Sequence, residues 1–299
     1  MPSKVCLLII YNHRYDANIE KLEKIYQSRF SNIYHIVPFY DGAEKNVIPV
    51  YECSFRFEGY VAQALKHIDY SYEHYFFVAD DAILNPAINE KNYREWFSLA
   101  DNSFTRSLRQ MKGWGINRRF MDPFPKFEKY QGTLWKEELM PAEEAFAVAK
   151  RQGYDREEFA MDASMVWDAR KKLKEYPRLI LMFLRTLIRG KKYCPYPIWG
   201  GYSDVFIVPG KDIEKVAHML GVFAAMDIFV EEAIPTTLHL ICEELIEEKD
   251  LEAKSKTLWG NPAREEVEEK YERDYRKLMN EWESGCLFIH PIKLSSLKI

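Results

Sequence analysis

The fold is decided by the stretch Tyr75-Phe76-Phe77-Val78-Ala79-Asp80-Asp81, in which an unbroken apolar run ends in two adjacent carboxylates. Such a run is typical of a β-strand that is buried on both faces, as in parallel sheets. Open α/β sheets bind their ligands at the carboxyl ends of these strands. Because neighbouring buried carboxylates repel each other unless a cation neutralises them, the stretch predicts a divalent-metal site. A solvated turn, with Asp80 capping the next segment, is an open alternative.

The sequence on either side of this stretch alternates between strand and helix signals. Apolar runs predict strands over Val5–Tyr11, Ile33–Tyr40 and Val47–Tyr51. Helical spacing of apolar residues predicts helices over Ala17–Phe30 and about Gly59–His67. This order predicts an open α/β sheet of parallel strands.

The rest of the chain is predicted to be largely helical. Residues 92–190 look helical and irregular, whereas Val205–Pro209 is a further strand candidate. Helices are expected over Asp212–Leu220, about Pro235–Ile246 and about Pro262–Trp282. The second of these would place Pro235 in a first helical turn, where proline is tolerated.

Composition argues against several classes of protein. The chain has 299 residues and a formal net charge of −4, so it lacks the basic footprint of a nucleic-acid-binding protein. Its five cysteines are scattered without a CxxC pair, which favours reduced thiols in a cytoplasmic protein over a zinc site or a disulfide framework. The apolar runs are too short to cross a bilayer, and we expect neither a signal peptide nor a membrane span.

Three further segments carry candidate functional residues. They are the pair Glu231-Glu232 near a helix start, Gly200-Gly201-Tyr202-Ser203-Asp204 before a strand, and the tail Phe288-Ile289-His290-Pro291-Ile292-Lys293. A neutral imidazole can ligate Mn²⁺, and a lysine charge can offset a phosphate. Each segment also has an ordinary structural explanation: a favourable helix dipole, a turn, and a packed histidine in a surface tail.

The acidic stretch resembles the DxD region of GT-A glycosyltransferases, with Ala79 in place of the first acidic residue. The tail is similar to the one that closes many of these enzymes. The resemblance implies a GT-A-like, mostly parallel α/β sheet flanked by helices, with a helical insertion. It also implies that Asp81 and His290 bind Mn²⁺ or Mg²⁺, that Asp80 contacts ribose or sugar, and that Lys293 meets the diphosphate. The departure at Ala79 removes the first carboxylate of that region, which argues against strong metal dependence.

The same resemblance implies roles for other residues. Glu231, or failing that Glu232, would be the general base, with Glu232 facing solvent in the first case. Gly201 and Asp204 would approach the donor sugar. The ends of the first two strands would hold the nucleotide base and ribose through Tyr11, Asn12, His13 and Asp41. In this arrangement residues 1–91 form the nucleotide-binding half, 92–195 the helical insertion, and 196–299 the donor-sugar and acceptor half.

The implied reaction is the transfer of a sugar from a nucleoside diphosphate, with a UDP-hexose as the expected donor. A bacterial surface glycan, free or lipid-linked, is the expected acceptor. One alternative is a nucleotidyltransferase that makes nucleotide sugars, but the segment Asn12–Asp16 lacks the glycines of such enzymes. The other is a non-catalytic binding protein on the same fold, which Ala79 favours slightly.

The segment Arg170–Lys192 differs from the acidic remainder because it holds nine basic residues and a single glutamate. Arg178, Arg185 and Arg189 share one face of a predicted helix, and apolar residues cover the rest. Such a helix can lie on an anionic bilayer, which would place the protein peripherally at the inner face of a membrane. A core helix with snorkelling arginines explains the pattern equally well.

Overall fold

The computed structural model describes residues 4–110, 126–127, 137–161, 180–181, 184, 188, 192–260, 265 and 268–299. Its strands are β1 (Val5–Ile10), β2 (Ile33–Pro38), β3 (Val47–Val50), β4 (His74–Ala79), β5 (Ile83–Leu84), β6 (Ser103–Thr105), β7 (Leu108–Gln110), β8 (Ala160–Met161), β9 (Lys192–Tyr193), β10 (Trp199–Gly201), β11 (Val205–Pro209), β12 (Leu245–Glu247), β13 (Lys254–Thr257) and β14 (Cys286–His290). Its helices are α1 (Asp16–Tyr26), α2 (Phe57–Ala64), α3 (Tyr93–Trp96), α4 (Ala142–Arg151), α5 (Ile213–Ala225), α6 (Val230–Ile241) and α7 (Tyr275–Asn280).

A seven-stranded sheet in the order β12-β6-β11-β4-β1-β2-β3 forms the centre of the fold. Strands β4, β1, β2 and β3 are parallel to one another, and β12 is parallel to β6. Strand β11 is antiparallel to both of its neighbours, β4 and β6. The predicted α/β class with a mostly parallel sheet flanked by helices is therefore confirmed, but one central strand runs against the others.

The buried runs of β1 and β4 supply two apolar clusters, as expected of strands covered on both faces. Leu8 and Phe77 lie in the cluster that also holds residues of α2, α5 and α6. Leu7 and Phe76, the adjacent residues, lie in the cluster that holds residues of α1 and β14. Each of these four side chains is fully buried, which contributes about 1.5–3 kcal/mol per side chain before the entropy cost of folding. The carboxyl ends of β1 and β4 are thus held rigidly side by side.

A second, three-stranded sheet joins the end of the chain to the centre of the fold. Strand β14 pairs with β13 in parallel and with β5 in antiparallel orientation. Since β5 follows β4 after only three residues, the pairing of Ile289 with Ile83 brings the C-terminal tail to the edge where β4 ends.

Two of the predicted helices are wrong. The helix expected over Pro235–Ile246 begins at Val230 and ends at Ile241, so Pro235 lies inside it and beyond its first turn, while Leu245–Glu247 is strand β12. The long helix expected over Pro262–Trp282 is broken within the described residues, because Glu272 and Arg273 have φ values of 52° and 58°. Asp274 caps the short helix α7, accepting hydrogen bonds from the amides of Arg276 and Lys277.

The predicted helical insertion is only partly described. Strand β6, from residues 103–105, belongs to the central sheet rather than to a helical region. The segment Arg170–Lys192 lies almost wholly outside the described residues, and its interpretation stays a prediction. Of its described side chains, Leu181, Leu184 and Ile188 are 50%, 47% and 83% exposed, and Ile180 is half-buried. In the described part of the chain, no helix is long and apolar enough to cross a membrane.

The burial of His239 makes stability depend on pH. Its ring packs against Trp199 with 3.9 Å between ring centroids, and burial lowers the pKa of His239 to about 3. An unfolded histidine has a pKa of about 6.5, so protons bind the unfolded chain more readily below that pH and stability falls as the pH falls. Between pH 7 and pH 5 the free energy of unfolding should fall more in the parent than in His239→Phe. We expect the two decreases to differ by about 2 kcal/mol.

This prediction is tested by urea unfolding of the parent and of His239→Phe at both pH values. An equal pH dependence in the two proteins would show that folding does not lower the pKa of His239 and would contradict the prediction.

Candidate active site

Strand β4 ends at Ala79 and delivers Asp80 and Asp81 to the carboxyl edge of the sheet. Asp80 is 3% exposed and accepts hydrogen bonds from the backbone amide of Asn12 at 3.1 Å and from the side-chain amide of Asn18 at 3.4 Å. Burial, reinforced by the neighbouring Asp81, raises the pKa of Asp80 to about 7. The charge of Asp80 is therefore costly in this place, as the sequence predicted for paired carboxylates.

The C-terminal tail brings His290 to Asp81. The amide of Ile292 donates to the carbonyl oxygen of Asp81 at 2.7 Å, which ties the tail to the end of β4. The Nε2 atom of His290 lies 3.1 Å from Oδ1 of Asp81 and 3.8 Å from Oδ1 of Asp204. On the other side of the ring, Nδ1 of His290 is hydrogen-bonded to the hydroxyl of Tyr202. The two metal ligands expected from opposite parts of the sequence thus meet.

Asp204 brings a third carboxylate to this edge, just before β11. Its carbonyl oxygen accepts from the amide of Ala79 at 2.7 Å, which fixes it beside β4. Burial raises the pKa of Asp204, and Asp81 adds to the effect while His290 opposes it. Burial works against a charged His290, but Asp204 and Asp81 outweigh it and raise the pKa of that imidazole. Asp81 and Asp204 thus share one imidazole, with Asp80 next to Asp81, an arrangement that favours an additional cation.

A cavity of about 600 Å³ opens at Asp80 and Asp81, whereas His290 and Asp204 are not among its described lining residues. Its lining includes Asp80 and Asp81, which follow β4, and Asn12 and His13, which follow β1. These four residues therefore lie at the carboxyl ends of the two strands. Lys293 also lines the cavity and is exposed. The cavity lining therefore combines acidic groups with a cation.

The wall formed by the C-terminal tail is held in place by hydrogen bonds. The ammonium group of Lys21, on α1, donates to the carbonyl oxygens of Leu294 at 2.9 Å and Leu297 at 3.1 Å. Arg273 adds a second cation to the lining and pairs at 2.8 Å with Glu268, which also lines the cavity. The tail is thus a fixed wall that carries positive charge.

The other residues expected to hold the base and ribose lie elsewhere. The side chain of Asp41 is 80% exposed and pairs with Arg14, which holds the pKa of Asp41 below its usual range. The ring of Tyr11 is fully buried, with its hydroxyl 2.8 Å from Nδ1 of His35, so it is not available for stacking and only its backbone remains a candidate. Neither residue is among the described residues that line the cavity.

Gly201 has a packing role that the sequence left open. A methyl group added there would lie 2.7 Å from Cγ of Pro235 and closer still to the carbonyl oxygen of Ser107. Real side chains are not found at such distances, so Gly201 is required for β10 to approach α6 and the chain before β7. Its contact with a donor sugar stays a prediction.

The burial of the two glutamates of α6 differs from the expectation. Glu232 is 1% exposed, whereas Glu231 is half-buried and retains some access to solvent. The expectation that Glu232 faces solvent is therefore wrong, since successive residues at this helix start turn toward different surroundings. Neither glutamate is among the described cavity-lining residues. Phe229, just before α6, does pack near the cavity, with its ring centroid 6.2 Å from that of the lining residue Phe55.

Two residues of the site were missed in the sequence. Asn18 donates to Asp80 from the first turns of α1, and Tyr202 contacts His290. Tyr202 was visible within the glycine-rich segment, but its partner is 88 residues away. Only the pairing of β14 with β5 brings the two together.

No protein-family model matches the chain, and no curated protein matches it in sequence. Among solved structures, it is similar to the crystal structure of core-mannan synthase A (CmsA/Ktr4) from Aspergillus fumigatus in its Mn/GDP form. The similarity covers 83% of this chain and 73% of that chain, with 11% sequence identity and a TM-score of 0.34. At so low a similarity, conclusions about function rest on the geometry of the site.

Proposed function

We propose that this protein is a metal-assisted glycosyltransferase of the GT-A kind, which moves a sugar from a nucleoside diphosphate to an acceptor hydroxyl. The observation that carries the proposal is the contact between Asp81 and His290, at a cavity that both Asp81 and Lys293 line. A UDP-hexose is the donor we propose. A glycan, free or lipid-linked, is the acceptor we propose.

The arrangement of Asp81 and His290 fits a divalent cation. Two ligands about 2.1 Å from an octahedral ion and at right angles to each other lie about 3.0 Å apart. The observed separation of 3.1 Å between Oδ1 of Asp81 and Nε2 of His290 matches this geometry. Within the described residues no ready-made cluster of three or more ligands exists. Two protein ligands suit Mg²⁺ or Mn²⁺, which commonly complete their coordination with water and substrate phosphates.

The charges around the cavity suit a diphosphate. A bound Mn²⁺ or Mg²⁺ would supply positive charge for the leaving diphosphate. Lys293 would add a point charge from the tail, and Arg273 could turn from Glu268 to the ligand, since both residues line the cavity. Charge develops on the leaving group during such a reaction. Stabilisation of that charge is commonly the largest contribution that an enzyme makes to the rate.

The remaining polar groups would orient the donor. Asp80, held by Asn12 and Asn18, presents a carboxyl group whose raised pKa allows it either to donate or to accept a hydrogen bond near neutral pH. Such a group suits the hydroxyls of ribose or of the transferred sugar. We place Asn12 and His13 beside the nucleoside because both line the cavity at the end of β1.

Glu231 is the general base that we propose. It is the second residue of α6. Phe229, the residue just before this helix, packs near the cavity wall at Phe55. We prefer Glu231 because it is half-buried and keeps some exposure to solvent, whereas Glu232 is buried.

The metal assignment is tested by Asp81→Asn, which removes the charge but keeps the size of the side chain. We expect loss of Mn²⁺-dependent release of UDP from UDP-hexoses, with the thermal unfolding midpoint nearly unchanged because Asp81 is partly exposed. Asp101→Asn, an exposed position, is the matched control and should behave like the parent.

Other results would point to the alternatives. Full activity of Asp81→Asn, or of the parent protein in EDTA, would contradict the proposed metal site. Release of UTP from a UDP-hexose and pyrophosphate would identify a nucleotidyltransferase. Binding of Mn²⁺ and UDP without turnover of any tested donor and acceptor would identify a binding protein.

The base is tested by Glu231→Gln, which preserves shape but removes the basic carboxylate. We expect kcat for transfer to fall by roughly 10²–10⁴-fold, while the affinity for UDP stays within about twofold. Glu214→Gln, an acidic residue in the first turn of the neighbouring helix α5, is the control and should leave both quantities unchanged. Turnover by Glu231→Gln at the parental rate would exclude Glu231 as the base.

A further inference from the structure

We infer that Tyr202 is a positioning residue, which holds the ring of His290 so that its Nε2 atom faces the metal. The inference rests on the proposed function, because it takes Asp81 and His290 as the metal ligands. Tyr202 would act through His290 without touching the metal, the diphosphate or the sugar.

The contact between the two rings is specific. The hydroxyl of Tyr202 is hydrogen-bonded to Nδ1 of His290, and the rings meet nearly edge to face, with centroids 5.4 Å apart and an angle of 85°. His290 is 1% exposed, so water has little access to compete for Nδ1. With Nδ1 held in this way, Nε2 is directed at Oδ1 of Asp81, 3.1 Å away.

The tautomer of His290 follows from this contact. A metal ligand needs a lone pair, so a metal at Nε2 requires the single ring proton to reside on Nδ1. Nδ1–H can then donate to the hydroxyl oxygen of Tyr202, which both stabilises this tautomer and fixes the plane of the ring. Hydrogen-bond partners of this kind commonly set the orientation and basicity of a ligating histidine.

Tyr202 is itself held firmly on both sides. The guanidinium carbon of Arg106 lies 4.5 Å from the centroid of the Tyr202 ring, and the ring of Phe288 stacks at 6.1 Å. Arg106 is fixed in turn, because its Nε donates to Oγ of Ser255 at 2.6 Å and lies 3.6 Å from Oε2 of Glu248. The hydroxyl of Tyr202 therefore has a defined position before any metal binds.

The chain contains a matched pair of rings that can serve as a control. Tyr93 and His74 repeat the same contact, with the Tyr93 hydroxyl 3.0 Å from Nδ1 of His74, ring centroids 5.6 Å apart and an angle of 77°. His74 begins β4, whereas Asp80 and Asp81 follow its other end. Removing the Tyr93 hydroxyl thus reproduces the chemical change far from the proposed metal.

The experiment measures Mn²⁺ affinity in the presence of saturating UDP, by electron paramagnetic resonance of the free ion. Tyr202→Phe keeps the ring against Arg106 and Phe288 but removes the hydroxyl, and we expect the Kd for Mn²⁺ to rise roughly 10–100-fold. Tyr93→Phe should leave the Kd within about twofold of the parent. Thermal unfolding of the metal-free proteins separates affinity from stability, since a structural role alone would lower the unfolding midpoint of Tyr202→Phe without changing its Kd.

The outcomes distinguish this inference from the proposed function. If Asp81→Asn weakens Mn²⁺ binding but Tyr202→Phe does not, Tyr202 is not a positioning residue and the metal site stands. If neither variant changes the Kd, the metal site itself is wrong and the inference falls with it.

A second measurement needs no variant and covers the case in which Tyr202→Phe does not fold. In ¹⁵N-labelled parent protein with Mg²⁺ and UDP, long-range ¹H–¹⁵N spectra should show His290 protonated at Nδ1. Protonation at Nε2 in that complex would overturn the inference.

Discussion

Two carboxylates, from Asp81 and Asp204, lie beside the imidazole of His290 at one largely buried edge of the central sheet, and a third, from Asp80, is next to Asp81. Buried charges of like sign are unfavourable unless they are protonated, hydrogen-bonded or paired with a cation. At Asp80 the carboxylate accepts two hydrogen bonds, and burial raises its pKa to about 7. A bound divalent cation would provide the remaining response, next to the cavity that Asp80 and Asp81 line.

The site depends on contacts between distant parts of the chain. Strands β1 and β4 set the acidic residues side by side, and the pairing of β14 with β5 returns the tail to them. Lys21 then fixes the tail through the carbonyl oxygens of Leu294 and Leu297. Because the tail supplies both His290 and Lys293, the proposed metal ligand and the lysine of the cavity wall are positioned by one set of interactions. A change that loosens the tail would therefore affect both.

Much of the first half of the fold could be predicted from the sequence. The runs Val5–Tyr11 and Tyr75–Val78 are continuous and apolar, and such strands are read easily because both faces are buried. The short strand Ser103–Thr105 was missed, since three residues give no measurable periodicity. The helix predicted over Pro262–Trp282 is wrong because apolar spacing gives no information on the positive φ values of Glu272 and Arg273.

The meeting of Asp81 with His290 followed from a family resemblance, whereas the contacts of Tyr202 and Asn18 depend on tertiary structure.

The central claim is that Asp81 and His290 share one divalent cation at the carboxyl edge of β4. Crystals grown with Mn²⁺ and UDP, measured at a wavelength where manganese scatters anomalously, test it most directly. The account predicts a single strong anomalous peak about 2.1–2.3 Å from Oδ1 of Asp81 and Nε2 of His290, with the diphosphate completing the coordination. A complex that contains UDP but shows no manganese at these two atoms, with the direct contact between Asp81 and His290 intact, would contradict it.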